Sequence, residues 1–126
     1  MASNGSFLTN GWYSDSKKDN VYLEFAWAVS STSIAQNSTT IYWELRGKRT
    51  ASGFVNAGGF KVVIDGATVY EQSTDYRIEL YNGTVVASGT YTLYHDGHGN
   101  RSFGASAQGA IYYYAVNCTG SGAWVL

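Results

Sequence analysis

Proline is absent from this chain of 126 residues, so its turns fall to Gly, Asn and Asp. Its 15 glycines suit a fold with many tight connections. The single cysteine, Cys118, excludes an intramolecular disulfide and with it a stapled secreted scaffold. With neither histidine near it in sequence, that thiol reads as a small buried side chain. Charge is scarce as well: 13% of residues carry it and the formal net charge is −1. Nothing in that balance steers the protein toward nucleic acid or an anionic membrane. No apolar stretch approaches the roughly 20 residues of a membrane span, which argues against membrane insertion. Met1-Ala2-Ser3-Asn4-Gly5 lacks the basic start and apolar run of a secretory signal. No segment repeats apolar residues at helical spacing.

What the chain has instead is alternation. In residues 21–29, Val21, Leu23, Phe25, Trp27 and Val29 form an apolar row, and Tyr22, Glu24, Ala26 and Ala28 fill the other positions. A period of two means a strand with one buried and one wet face. Residues 40–46 repeat it, with Ile41, Trp43 and Leu45 inward and Tyr42, Glu44 and Arg46 outward. Phe60, Val62 and Ile64 make a third inward row. Asp65-Gly66 and Asn82-Gly83 are hairpin signals between β-rich runs. Further strands are expected at residues 6–8, 12–13, 54–55, 68–70, 77–81, 84–87, 90–94, 102–107, 111–116 and 123–126. Residues 95–100 read as a turn cluster. Strands at this spacing predict one all-β domain over residues 1–126, a single antiparallel β-sandwich of jelly-roll-like or immunoglobulin-like form. The chain stops inside the apolar run Trp124-Val125-Leu126, which fits a module cut from a longer protein.

Catalytic constellations are weak. His95 and His98 flank Asp96 in a turn, which is at most half a zinc site, and the segment lacks the acidic donors and closing Glu of a calcium loop. No metal and no cofactor is expected. Glu24 and Glu44 are the candidates for the paired carboxylates of glycoside hydrolysis, and they read as solvated charges on outer strand faces. No strand-to-helix turn marks a nucleophilic serine. The chain is not expected to be an enzyme.

The aromatics sort into two groups. Phe25, Trp27, Trp43, Phe60, Phe103 and Trp124 fall on inward positions or in apolar runs and belong to the core. Tyr22, Tyr42, Tyr81 and Tyr94 fall outward. Within residues 111–116, either Tyr112 and Tyr114 or Tyr113 face out. Trp12 and Tyr13 sit beside a loop. Exposed rings of this kind stack on the C–H face of a pyranose while their polar ends meet its oxygens. They equally suit protein interfaces, or cross-strand pairing within a sheet. The candidate carbohydrate-binding residues are Trp12, Tyr13, Tyr22, Tyr42, Tyr112 and Tyr114, and an exposed platform of these tyrosines is the expectation to test.

Five stretches in order resemble the β-sandwich modules of siphophage minor tail structural proteins. They are Ser33-Ile34-Ala35-Gln36-Asn37-Ser38-Thr39-Thr40-Ile41-Tyr42-Trp43, then Asn56-Ala57-Gly58-Gly59-Phe60, then Ala87-Ser88-Gly89-Thr90-Tyr91-Thr92. His95-Asp96-Gly97-His98-Gly99-Asn100-Arg101-Ser102-Phe103 and Gly120-Ser121-Gly122-Ala123-Trp124-Val125-Leu126 complete the set. The resemblance implies an extracellular-facing virion protein near the distal tail of a phage of Gram-positive bacteria, with no catalytic residues to carry over. It implies host adhesion and receptor binding to a cell-wall saccharide, or a structural role among other tail proteins or copies of itself. The Pro-containing link that usually follows such modules is missing here, and the Tyr112-Tyr113-Tyr114 run is not something the family pattern requires.

Overall fold

The computed structural model describes residues 3–14, 19–112 and 116–126, with the side chains of residues 12–14 and 19 outside the description. Eleven strands are described: β1 (Asn4–Leu8), β2 (Trp12–Ser14), β3 (Asp19–Val21), β4 (Leu23–Ser33), β5 (Ser38–Gly47), β6 (Phe54–Ile64), β7 (Ala67–Gln72), β8 (Tyr76–Glu79), β9 (Val85–Tyr94), β10 (Ser102–Ile111) and β11 (Val116–Val125). One sheet has the order β1-β4-β5-β9 and the other β11-β10-β6-β7, with β8 also paired to β6. A small ribbon joins β2 to β3. All of these pairs are antiparallel. The fold is an antiparallel β-sandwich.

The inward rows meet between the sheets as alternation requires. Leu23, Phe25, Trp27, Ile41, Trp43 and Leu45 from the first sheet are buried with Phe60, Val62, Ile64, Phe103 and Ile111 from the second. The Trp27 ring meets Phe103 edge-on at 5.1 Å and Trp124 at 5.4 Å across the interface. Glycines make room for these rings. A Cβ on Gly109 would lie 2.8 Å from the Phe60 ring and 2.9 Å from Leu23, and one on Gly89 only 3.2 Å from the Trp43 indole. Cys118 is buried, and desolvation pushes its thiol up to about 11, so it is a packing group rather than a poised nucleophile.

Several elements differ from the sequence expectation. The short strand at residues 54–55 and the strand at residues 60–64 are one strand, β6. Gly59, at φ 61°, lets that strand bend and change partner, from β8 over its first residues to β7 over its last. Residues 84–87 and 90–94 likewise merge into β9 through Ser88 and Gly89. Residues 111–116 are not one strand: Ile111 ends β10 and Val116 begins β11, the two strands pair antiparallel, and residues 113–115 lie outside the described residues. Asp65-Gly66 makes its hairpin, with both residues at positive φ. Asn82-Gly83 does not, because β8 pairs with β6 and β9 with β5. That turn carries the chain from one sheet to the other.

Candidate functional site

The register of β1, β4, β5 and β9 lays out the outer face of the first sheet row by row. Leu8, Glu24, Arg46 and Val85 form one row, Ser6, Ala26, Glu44 and Ser88 the next, and Asn4, Ala28, Tyr42 and Thr90 a third. Tyr42, Glu44 and Arg46 share this face because they alternate along β5 with the buried Ile41, Trp43 and Leu45. Around them the floor is small: Ala26, Ala28, Ser88 and Thr90.

A hydrogen-bonded chain fixes the large side chains. Tyr42 donates its Oη–H to Glu44 Oε1 at 2.9 Å, and Arg46 Nε–H donates to Glu44 Oε2 at 2.6 Å. Arg46 Nη1–H donates to Glu24 Oε1 at 2.9 Å. The Arg46 bond, then that of Tyr42, holds the Glu44 carboxyl below its ordinary value, and Glu44 in turn raises Arg46. Both carboxylates are therefore paired with one guanidinium. A glycosidase requires one carboxyl kept protonated as the acid, and this arrangement favours the ionised form of Glu44. What the cluster presents is a half-immobilised ring, 40% exposed, beside charged hydrogen-bonding groups. Glu24 Oε2 and Arg46 Nη2 hold no partner among the described residues.

The expected platform of aromatics is not assembled. Tyr42 sits in the middle of this face. Tyr22 lies between the buried Val21 and Leu23, half-buried and just before β4, six positions along the chain from Ala28 of the Tyr42 row, about 20 Å of extended strand. Tyr112 is exposed just past the end of β10, a strand of the other sheet. Trp12 and Tyr13 belong to β2 by backbone, their side chains being outside the described residues, as is Tyr114 altogether. Arg46 is a site residue that no aromatic pattern marks. Its place two positions beyond Glu44 on the outward side was legible, whereas its bond to Glu24 depends on the β4–β5 register.

A second cluster lies at the end of the sandwich where the β4–β5 turn meets the β9–β10 loop. Asn37, at φ 51°, donates from Nδ2 to the carbonyls of His95 and Asp96, and its own carbonyl accepts from the His95 N–H. Asp96 Oδ1 accepts from the backbone N–H groups of His98 and Asn100, which hold its carboxyl below the ordinary range. The Gly99 carbonyl accepts from His95 Nδ1, leaving Nε2 to Thr39 Oγ1 at 2.7 Å. Both His95 ring nitrogens are thus engaged, one within the loop and one by Thr39 of β5, and no group of three metal-binding side chains occurs among the described residues. Beside His95 a crevice of about 330 Å³ is lined by Val29, Thr32, Thr39 and Leu126. Ile34, at the tip of the β4–β5 turn, is 98% exposed.

No protein-family model matches the chain, no curated protein matches it, and no solved structure matches it. The class defined by the geometry is an antiparallel β-sandwich with a polar aromatic cluster on one open face.

Proposed function

We propose that this chain is a non-catalytic adhesion module of a phage tail that binds host cell-wall saccharide on the outer face of its first sheet. The observation that carries the reading is the Tyr42–Glu44–Arg46–Glu24 chain of hydrogen bonds over a floor of small side chains. An aromatic ring with an apolar face and fixed charged groups beside it matches a pyranose, whose C–H face is apolar and whose rim is hydroxyl. The shared pairing of both carboxylates with Arg46 supports binding over hydrolysis. The likeness to siphophage tail modules supports the location on the virion and the absence of cofactor chemistry.

Binding of labelled protein to Gram-positive cells and their extracted wall polysaccharide, with free sugars as competitors, tests the reading. Saturable, competable binding is expected, and Tyr42→Ala is expected to weaken it roughly tenfold, which corresponds to about 1.4 kcal/mol. Binding untouched by Tyr42→Ala and by Arg46→Ala would remove the site from this face. A structural role among other tail proteins is the second reading, favoured by the exposed Ile34 on a turn held by Asn37. It predicts no glycan affinity and loss of a tail-protein contact in Ile34→Ser.

A further inference from the structure

Among the described residues, β9 is a long edge strand whose outer flank no other segment of the chain meets. β1 is only five residues long. β11 is met by its own chain, since Asn10 N–H donates to the Thr119 carbonyl and Asn10 Oδ1 accepts from the Thr119 N–H. β7 is short, irregular in register against β6 and carries Glu71. By contrast β9 runs ten residues, Val85-Val86-Ala87-Ser88-Gly89-Thr90-Tyr91-Thr92-Leu93-Tyr94, with no charge and no proline. Its one bulge lies at Val86, away from the remaining length. Such an edge is a template for another strand, and charge, proline or a covering loop are the usual guards against that.

The backbone geometry says which groups are offered. His95 N–H bonds to the Asn37 carbonyl, so the odd-numbered residues that precede it in regular register turn their peptide groups toward β5. The even-numbered Ser88, Thr90, Thr92 and Tyr94 therefore turn theirs to the open flank, with no ladder partner among the described residues. Their side chains lie on the outer face.

We propose that β9 is a homodimer interface, pairing antiparallel with β9 of a second copy about a two-fold axis at Thr90. A residue on a two-fold meets its own copy, so a charge there repels itself, and this strand has none. With Thr90 opposite Thr90, Ser88 falls opposite Thr92, and each pair keeps its side chains on one face. Three pairs then exchange both hydrogen bonds, and small hydroxyl side chains meet across the seam. The charges one strand inward are staggered. Glu44 is in register with Ser88 and Thr40 with Thr92, so Glu44 faces the row of the partner's Thr40 and not the partner's Glu44. Two four-stranded sheets become one sheet of eight. The interface is independent of the saccharide reading, but it places two Tyr42 rings on one continuous face, three strand spacings or about 14 Å apart.

Light scattering after size exclusion over a range of concentrations tests this, with amide hydrogen exchange as the local readout. The wild-type mass is expected to double with concentration, and the Ser88, Thr90 and Thr92 amides to become protected only in the dimer. Thr90→Lys puts a charge on the two-fold at an exposed position and is expected to stay monomeric, with thermal unfolding unchanged from the wild type at dilutions where the wild type is itself monomeric. Thr90→Pro removes an N–H that no strand of the monomer uses and should behave the same way, so either variant serves if the other misfolds. A wild-type chain that is monomeric at its highest soluble concentration overturns the proposal and leaves the edge to a different partner. A dimer that survives these variants, or forms without protecting those three amides, overturns it as well.

Discussion

Trp43 and Glu44 stand side by side on β5 and illustrate the two demands a sandwich makes on adjacent residues. Trp43 is buried against Phe25, with ring centroids 6.3 Å apart, and lies beneath Gly89 of the neighbouring strand. Trp43→Ala is expected to cost about 3–5 kcal/mol in urea unfolding, since the neighbouring strands close the space only in part. Glu44 faces water and is held by Arg46 and Tyr42. Its folded-state pKa lies below the ordinary value of 4.5, so its contribution is present above that value and is lost as pH falls through the folded one. The wild type should exceed Glu44→Gln by a few tenths to about 1 kcal/mol at pH 7, and the gap should close on acidification. Parallel denaturation series at neutral and acid pH check this. Inside and outside were legible here from sequence alone, because a period of two fixes a side chain's face without knowledge of its neighbours. The Arg46–Glu24 bond was not, because it depends on which residue of β4 lies opposite which residue of β5.

At the scale of the strand, glycine is where the sequence was hardest to read. Gly58-Gly59 and Ser88-Gly89 look like breaks between short strands, and each lies inside one long strand. In β6 the glycines allow a bend and an exchange of partners, and in β9 the glycine yields space to an indole from the strand beside it. Neither role has a local signal, since each answers a group distant in sequence. Gly109 in β10 is a third case. Gly109→Ala would drive a methyl into Phe60 and Leu23 and is expected to cost about 1–3 kcal/mol by thermal or chemical unfolding, although alanine favours neither a turn nor a break. Conversely, the Asn82-Gly83 dipeptide reads as a hairpin because its chemistry suits any tight reversal. Only the pairing of β9 with β5 shows that it links two sheets.

For the molecule as a whole, the fold class was legible and the candidate site only in part. Alternation over many short segments without a helical period leaves a sandwich as the natural way to bury every inward row. Strand order is set by long-range pairing, and it decided that Tyr42 joins Glu24 and Arg46 and is separated from Tyr112. The proposed saccharide face therefore centres on one tyrosine and a charged network where the sequence suggested a tyrosine platform.

The pairings of β5 with β9 and of β6 with β10 join segments about forty residues or more apart in the chain. Each must close a large loop before any ladder bond rewards it, so the search for the native arrangement is dominated by chain entropy rather than by local preference. Stopped-flow refolding should accordingly fall in the millisecond-to-second range typical of sandwiches. With no proline in the chain, refolding should show no phase of tens of seconds from peptide isomerisation. Until those pairings form, strand edges such as that of β9 are transiently unpaired. Dilution during refolding should raise the yield, because β9 then meets its own β5 before it meets another molecule.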